Sequence, residues 1–258
     1  MSKYKLIFAS AFLALFVSSK SYAIEHVVSL GAGASFTQQN LTQRLTKQYT
    51  DTNPPAPTIQ TADVVRSFHN EGYSPEINLE YQARFQYLSL GIGVNNSNPS
   101  FETTFDNDVN SGNTKIKLKS HYIDTYVALF GNIIKTEKFG LSIGAAVAVG
   151  YFNIDKKDGN NVFNGENISQ VYIAPRVMVD GEYNFTKHFA IFSRFTLTPV
   201  SLFKKTRYNT NLHTAEDQVQ EVSVNGRPQM VAANIINNTI ESRNATSLAL
   251  NFGIRYKF

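Results

Sequence analysis

The sequence predicts an all-β chain, an eight-stranded antiparallel up-and-down barrel that crosses a membrane with its strands. Three observations predict it. Apolar residues recur at every second position in segments from Val27 to Phe258, the period of a strand with two unlike faces. Long polar connections alternate with very short ones, as in a barrel with one elaborate end and one plain end. The polar face is crowded with Gly, Ala and Ser on some strands and carries large charges on others. A narrow lumen needs that mixture, because small residues make room for long side chains opposite.

The N-terminus comes first. Lys3 and Lys5 precede an apolar run from Leu6 to Val17, and Ser21-Tyr22-Ala23 places small residues at the −3 and −1 positions of a cleavage site. Residues 1–23 therefore read as a secretory signal, since the run is shorter than the ~20 residues of a spanning helix. The barrel domain is 24–258. Without Lys3, Lys5 and Lys20, the 24 basic residues fall to 21 against 20 acidic ones, a net charge of +1. That balance gives no support to nucleic-acid binding. With no Cys there is no disulfide framework, so backbone pairing and packing must close the fold.

Strand one is Val27–Phe36, with Val28, Leu30, Ala32, Ala34 and Phe36 alternating with Ser29, Gly31, Gly33 and Ser35. In strand two Ile77, Leu79, Tyr81, Ala83 and Phe85 oppose Glu76, Asn78, Glu80, Gln82, Arg84 and Gln86. Strand three carries Leu88, Leu90, Ile92 and Val94. Strand four changes phase: Ile116 and Leu118 lie on even positions, Ile123, Val127 and Leu129 on odd ones. A one-residue slip flips every side chain, so a β-bulge is expected near Ser120-His121. Strand five runs Leu141–Tyr151, six Val171–Phe185, seven from Phe189 through Leu197, and eight is SLALNFGIRYKF, Ser247–Phe258. The long links are 37–72, 95–114, 153–168 and 202–243. In the first, Leu41, Leu45 and Tyr49 suggest one or two helical turns, and Asn53-Pro54-Pro55-Ala56-Pro57 an extended stretch. In the last, Asn225-Gly226 suggests a raised β-ribbon. A membrane-crossing ribbon would raise the count to ten, the alternative reading.

Alternation alone does not say which face meets water. The charges do: Glu76, Glu80, Asp124, Asp180 and Glu182 are matched by Arg84, Arg176, Arg194, Arg255 and Lys257. Buried charge is tolerable when paired, so this equality suits an enclosed lumen network. The apolar faces carry aromatics near their strand ends, including Phe36, Tyr81, Phe85, Tyr151, Phe189, Tyr256 and Phe258, as interfacial girdles do.

The closing NFGIRYKF resembles the C-terminal signature of bacterial outer-membrane barrels: polar, any, Gly, any, any, hydrophobic, any, aromatic. Asn251, Gly253, Tyr256 and Phe258 fill those places, and the resemblance implies that they are read by the barrel-insertion machinery. By pattern, the whole mature chain resembles small outer-membrane barrels of the opacity-protein, OmpA and OmpX-like type. It departs from OmpA in that nothing follows Phe258, so no peptidoglycan-binding domain is expected. The resemblance implies a monomer in a Gram-negative outer membrane, surrounded by outer-membrane lipid and lipopolysaccharide. Its four long loops would be extracellular and both mature termini periplasmic.

The expected function is a structural or surface-interaction role, with an extracellular or host ligand met by the loops and the lumen plugged by the ten charges. A narrow porin or a hydrophobic-ligand transporter is the alternative, with Lys115, Lys117 and Lys119 to attract anions or to pair with Glu102, Asp106 and Asp108. A lipid A-modifying enzyme is a weaker third reading, resting on Ser120, His121 and Asp124. No catalytic residue, metal ligand or cofactor is assigned; His26, His69, His188 and His213 form no ligand pattern.

Overall fold

A computed structural model describes residues 24–52, 57–105, 114–154, 169–204, 207–210 and 215–258. The segment read as a signal and the proline-rich 53–56 lie outside the described residues. The strands are β1 (Glu25–Asp51), β2 (Thr58–Arg84), β3 (Leu88–Ser97), β4 (Ser100–Phe105), β5 (Thr114–Lys135), β6 (Phe139–Ile154), β7 (Ser169–Asn184), β8 (Phe189–Phe203), β9 (Tyr208–Asn209), β10 (Val219–Val224) and β11 (Arg227–Lys257). Eight of them, β1-β2-β3-β5-β6-β7-β8-β11, form an antiparallel ring. It closes where β11 pairs with β1, from Val27 opposite Lys257 to Tyr49 opposite Ala233. The barrel is therefore the eight-stranded one, and β10 is the raised ribbon, turning onto β11 at Asn225-Gly226. Both turn residues have positive φ, 52° and 75°, the backbone that a two-residue hairpin turn demands.

The three short connections, after β2, β5 and β7, lie at the end where β1 begins and β11 finishes. The long connections lie at the other end, and the strands extend with them. β1 continues past Phe36 through Thr37–Asp51, about 50 Å of strand at about 3.3 Å per residue. It does so paired to β2 on one side and β11 on the other. The helical turns expected at Leu41, Leu45 and Tyr49 are absent: all three lie in β1, with Leu41 and Leu45 buried. Four-residue spacing is an even number, so one strand face satisfies it as well as a helix does.

The bulge expected at Ser120-His121 is also absent. From Ser120 to Asn132, β5 pairs with β6 in one register, and the shift falls between Asn132 and Ile134. A second irregularity separates Ile173 from Val177 in the β7–β8 register. Pro175 lies within that interval and Pro199 in the facing part of β8; neither has an amide proton for the ladder. The phase change at Ile116 and Leu118 occurs where β5 pairs with β4, beyond the part of the strand whose pattern lipid dictates.

Outward-facing side chains form a continuous apolar belt: Leu30, Leu79, Ile92, Val127, Val147, Ile173, Ile191 and Phe252 are all exposed. Exposed apolar area of that extent has no place in water, and it marks the lipid-facing band of a transmembrane barrel. Toward the short-turn end the belt closes on aromatics in edge contact, Phe139–Tyr183–Phe185 and Phe189–Tyr256–Phe258. At the other end Phe36 meets Tyr73 at 5.0 Å.

Inward-facing glycines have a specific reason. Tyr126 stands opposite Gly93, Phe130 opposite Gly144, Tyr172 opposite Gly150 and Phe192 opposite Gly253. Each ring lies over its glycine; a Cβ on Gly93 would stand 2.5 Å from the Tyr126 hydroxyl. Gly93→Ala is therefore expected to push Tyr126 aside and cost about 1–3 kcal/mol by overpacking. Gly181→Ala, whose Cβ would meet only Ser193 Oγ at 3.6 Å, should be near neutral. Urea midpoints of the two refolded variants check the contrast.

Candidate functional site

The barrel interior is where polar chemistry converges. Alternation on β8 turns Arg194 inward, and its guanidinium reaches across to β2. Its Nη1 and Nη2 donate to Glu80 Oε2 and Oε1 at 2.7 and 2.6 Å. Nε donates to Asp180 Oδ2 on β7 at 3.0 Å. Tyr126 donates its hydroxyl to Glu80 at 2.7 Å and accepts from Asn78 at 2.8 Å. Arg255 on β11 donates to Asp180 and, at 2.8 Å, to Glu182. Arg84 lies 2.9 Å from Glu182, to which Lys257 donates at 2.8 Å. Three carboxylates and four cations thus form one bonded web. Aromatic faces lie beneath the guanidiniums, Phe192 under Arg255 at 4.2 Å and Phe130 under Arg194 at 5.2 Å. These contacts add electrostatic attraction.

The other three charges lie apart from that web. Asp124 on β5 takes both Arg176 donors from β7, at 2.8 and 2.5 Å, and the Tyr172 hydroxyl at 2.7 Å. Glu76 accepts from Asn251 Nδ2 at 2.7 Å and makes no ion pair among the described residues. A polar cavity of about 30 Å³ lies between these groups, lined by Glu76, Tyr122, Asp124, Tyr172 and Arg176 among others. Another of about 20 Å³, lined by Arg84, Asp180, Glu182 and Arg255, opens toward the short-turn end. No lining residue is common to the two. Each has room for one or two waters.

Above the belt, β1, β2 and β11 rise together, and the 3-10 turn Ala215–Gln218 folds against their inner side. Its Asp217 is fully buried and takes a bidentate bond from Arg66 at 2.6 and 2.8 Å, with Lys47 at 4.0 Å. In the sequence Arg66 and Lys47 are two of the charges of the polar link 37–72. Their partner is 151 residues away in the chain for Arg66, so no local pattern announces it.

Ser120, His121 and Asp124 are not brought together: Ser120 and Asp124 are buried, whereas His121 is exposed and bonded to Asn98 at 2.6 Å. The β4–β5 register sets Glu102 opposite Lys117; the side chains of 115 and 117, and residues 106 and 108, lie outside the described residues. His26 is bonded to Tyr81, His69 to Asn40 and His188 to the Lys257 carbonyl; His213 lies outside the described residues. Of the C-terminal set, Asn251 faces the lumen, Gly253 lies against Phe192 and the β1 backbone, and Tyr256 and Phe258 face outward.

No family model and no curated protein matches the chain. Among solved structures it is similar to Neisserial surface protein A, at 12% identity over 88% of this chain and 99% of that one, with a TM-score of 0.40. It is also similar to the outer membrane protease OmpT from Escherichia coli, at 12% identity over 89% and 97%, TM-score 0.38. The attachment invasion locus protein Ail of Yersinia pestis, in complex with sucrose octasulfate, is similar at 11% identity over 90% and 99%, TM-score 0.31. The barrel itself rests on the strand registers of this chain.

Proposed function

We propose that the protein is a monomeric outer-membrane barrel of a Gram-negative cell, with a closed lumen, that works through the β-sheet rising above its belt. The observation that carries this reading is Arg194. It is 2% exposed and bonded at once to Glu80 and Asp180 on different strands, so it bars the lumen at mid-height. The two cavities on either side of it among the described residues are water-sized. In this reading the short turns and both mature termini are periplasmic, and the long connections are extracellular. Lipopolysaccharide and outer-membrane lipid cover the belt, and the insertion machinery reads Asn251, Gly253, Tyr256 and Phe258 during assembly. A structured extracellular sheet, with Arg66 and Lys47 held on Asp217, offers a fixed surface for an extracellular or host ligand.

Planar-bilayer recording of the purified, refolded barrel tests the closed lumen. No steady single-channel steps are expected, and their appearance in the wild type would replace this reading with a narrow porin.

A further inference from the structure

Among the described residues, the wall of the barrel has an opening above the belt. β8 leaves β11 after Leu202, which pairs with Asn244, and β9 rejoins that edge only at Tyr208, opposite Ile240. Glu241, Ser242 and Arg243 between them have no strand partner on this side among the described residues. On the other side, β1 steps from Asn244 directly to Ser242 in its register. Arg243 is thus the extra residue of a bulge, a feature that re-aims a side chain. A cavity of about 520 Å³ occupies the opening, lined by Arg44, Arg207, Arg243, Glu241, Leu202 and Phe203 among others.

Its charge is unbalanced. Three guanidiniums share one carboxylate, and loosely: Arg207 Nε lies 3.5 Å and Arg243 Nε 4.0 Å from Glu241. Arg44 makes no ion pair among the described residues, and its Nε is buried with no hydrogen-bond partner. Each guanidinium offers five N–H donors, so most of the donors here are uncommitted. A buried N–H without an acceptor is costly, and an anion seated in the cavity would offset that cost.

We propose that this opening is a binding site for a phosphate group borne by a sugar, either a glycolipid headgroup of the surrounding membrane or a soluble sugar phosphate. Among the described residues the four ionised lining side chains, Arg44, Arg207, Arg243 and Glu241, sum to +2, which suits a dianion, and guanidinium forks match phosphate oxygens. The volume lies in the range of small-molecule sites and has room for the sugar as well. Leu202 is exposed on the outer face and paired with Ile173 of the belt. The cavity therefore adjoins the upper edge of the apolar band, where lipid phosphates lie. The glycolipid source rests on the membrane reading above, whereas the soluble source does not.

The test uses the full refolded chain and three variants, Arg44→Gln/Arg243→Gln, Glu241→Gln and, in an exposed short turn, Lys187→Gln, each first checked for folding by the heat-dependent gel shift. Glucose 1-phosphate binding is titrated by calorimetry in detergent. Retention of lipopolysaccharide, native or phosphatase-treated, is measured by native mass spectrometry. Binding of at least one phosphorylated probe is expected. It should weaken about tenfold in the double arginine variant, tighten in Glu241→Gln and stay unchanged in Lys187→Gln. Binding of the lipid alone names the headgroup as the source, and of the sugar phosphate alone the soluble solute. No binding of either probe, equal retention of dephosphorylated lipid, or indifference to the arginine pair overturns the proposal. A missing gel shift in the wild type would instead count against the membrane barrel.

Discussion

Arg194→Ala is expected to lower stability by about 3–5 kcal/mol and, separately, to open the lumen to ions. The magnitude follows from what is left behind. Glu80 would lose both charge-assisted bonds while fully enclosed, and removing one partner of a buried ion pair leaves an uncompensated charge of about that cost. Asp180 is less affected, because Arg255 still donates to it. Adding Glu80→Gln should recover a large part of the loss, since Tyr126 and Gln82 can still bond the neutral side chain. The coupling between the two substitutions is then the interaction energy of the pair. With no Trp in the chain, tyrosine fluorescence or circular dichroism in urea would follow the unfolding. The second readout is independent. Both Arg194→Ala and the double variant remove the guanidinium between the two small cavities, so both should show single-channel steps. If the double variant regains stability yet stays silent, Arg194 is a structural brace and something else closes the lumen.

The legibility of this fold in its sequence follows the membrane. Where lipid covers one face, every second residue must be apolar, and all eight ring strands announce themselves, β5 by Ile123, Val127 and Leu129 and β11 by Leu248–Phe258. Beyond the belt that constraint lapses. Leu41 and Leu45 then looked helical, Ile116 and Leu118 looked out of phase, and the lengths of β1, β2 and β11 were missed. The irregularities seen in β5 and between β7 and β8 coincide with changes of apolar phase, from Ile133 to Ile134 and from Leu197 to Leu202, but each falls near a strand end where the pattern reads equally well as a turn; the second is marked further by Pro175 and Pro199.

The inner face was legible in kind but not in pairing. All ten expected lumen charges lie inside the barrel, nine of them buried and Glu182 partly so. Their equality of sign held no information on who meets whom: Glu76 faces an asparagine, and Asp124 and Arg176 form a pair apart from the web. The aromatic half of the lumen was overlooked. Tyr126, Phe130, Tyr172 and Phe192 share the face that carries the charges, and their reason appears only with the register that sets each opposite a glycine.

The lipid-facing assignment makes its own demanding prediction at Val127. This side chain is 57% exposed at the middle of β5, opposite Ile92 and Val147, both also exposed. In a water-soluble protein, Val127→Arg at so open a position would change stability by no more than about 0.5 kcal/mol. In a membrane barrel it places a guanidinium at the hydrocarbon midplane, which costs about 2–4 kcal/mol. Thr61→Arg supplies the contrast, an exposed residue on the same outer face but far up β2, beyond the belt. Urea unfolding from lipid vesicles should therefore separate the two variants by about 2 kcal/mol or more. Equal midpoints would put water, not lipid, around the belt. The comparison is informative because exposure alone predicts no difference between these sites; only the solvent they are exposed to does.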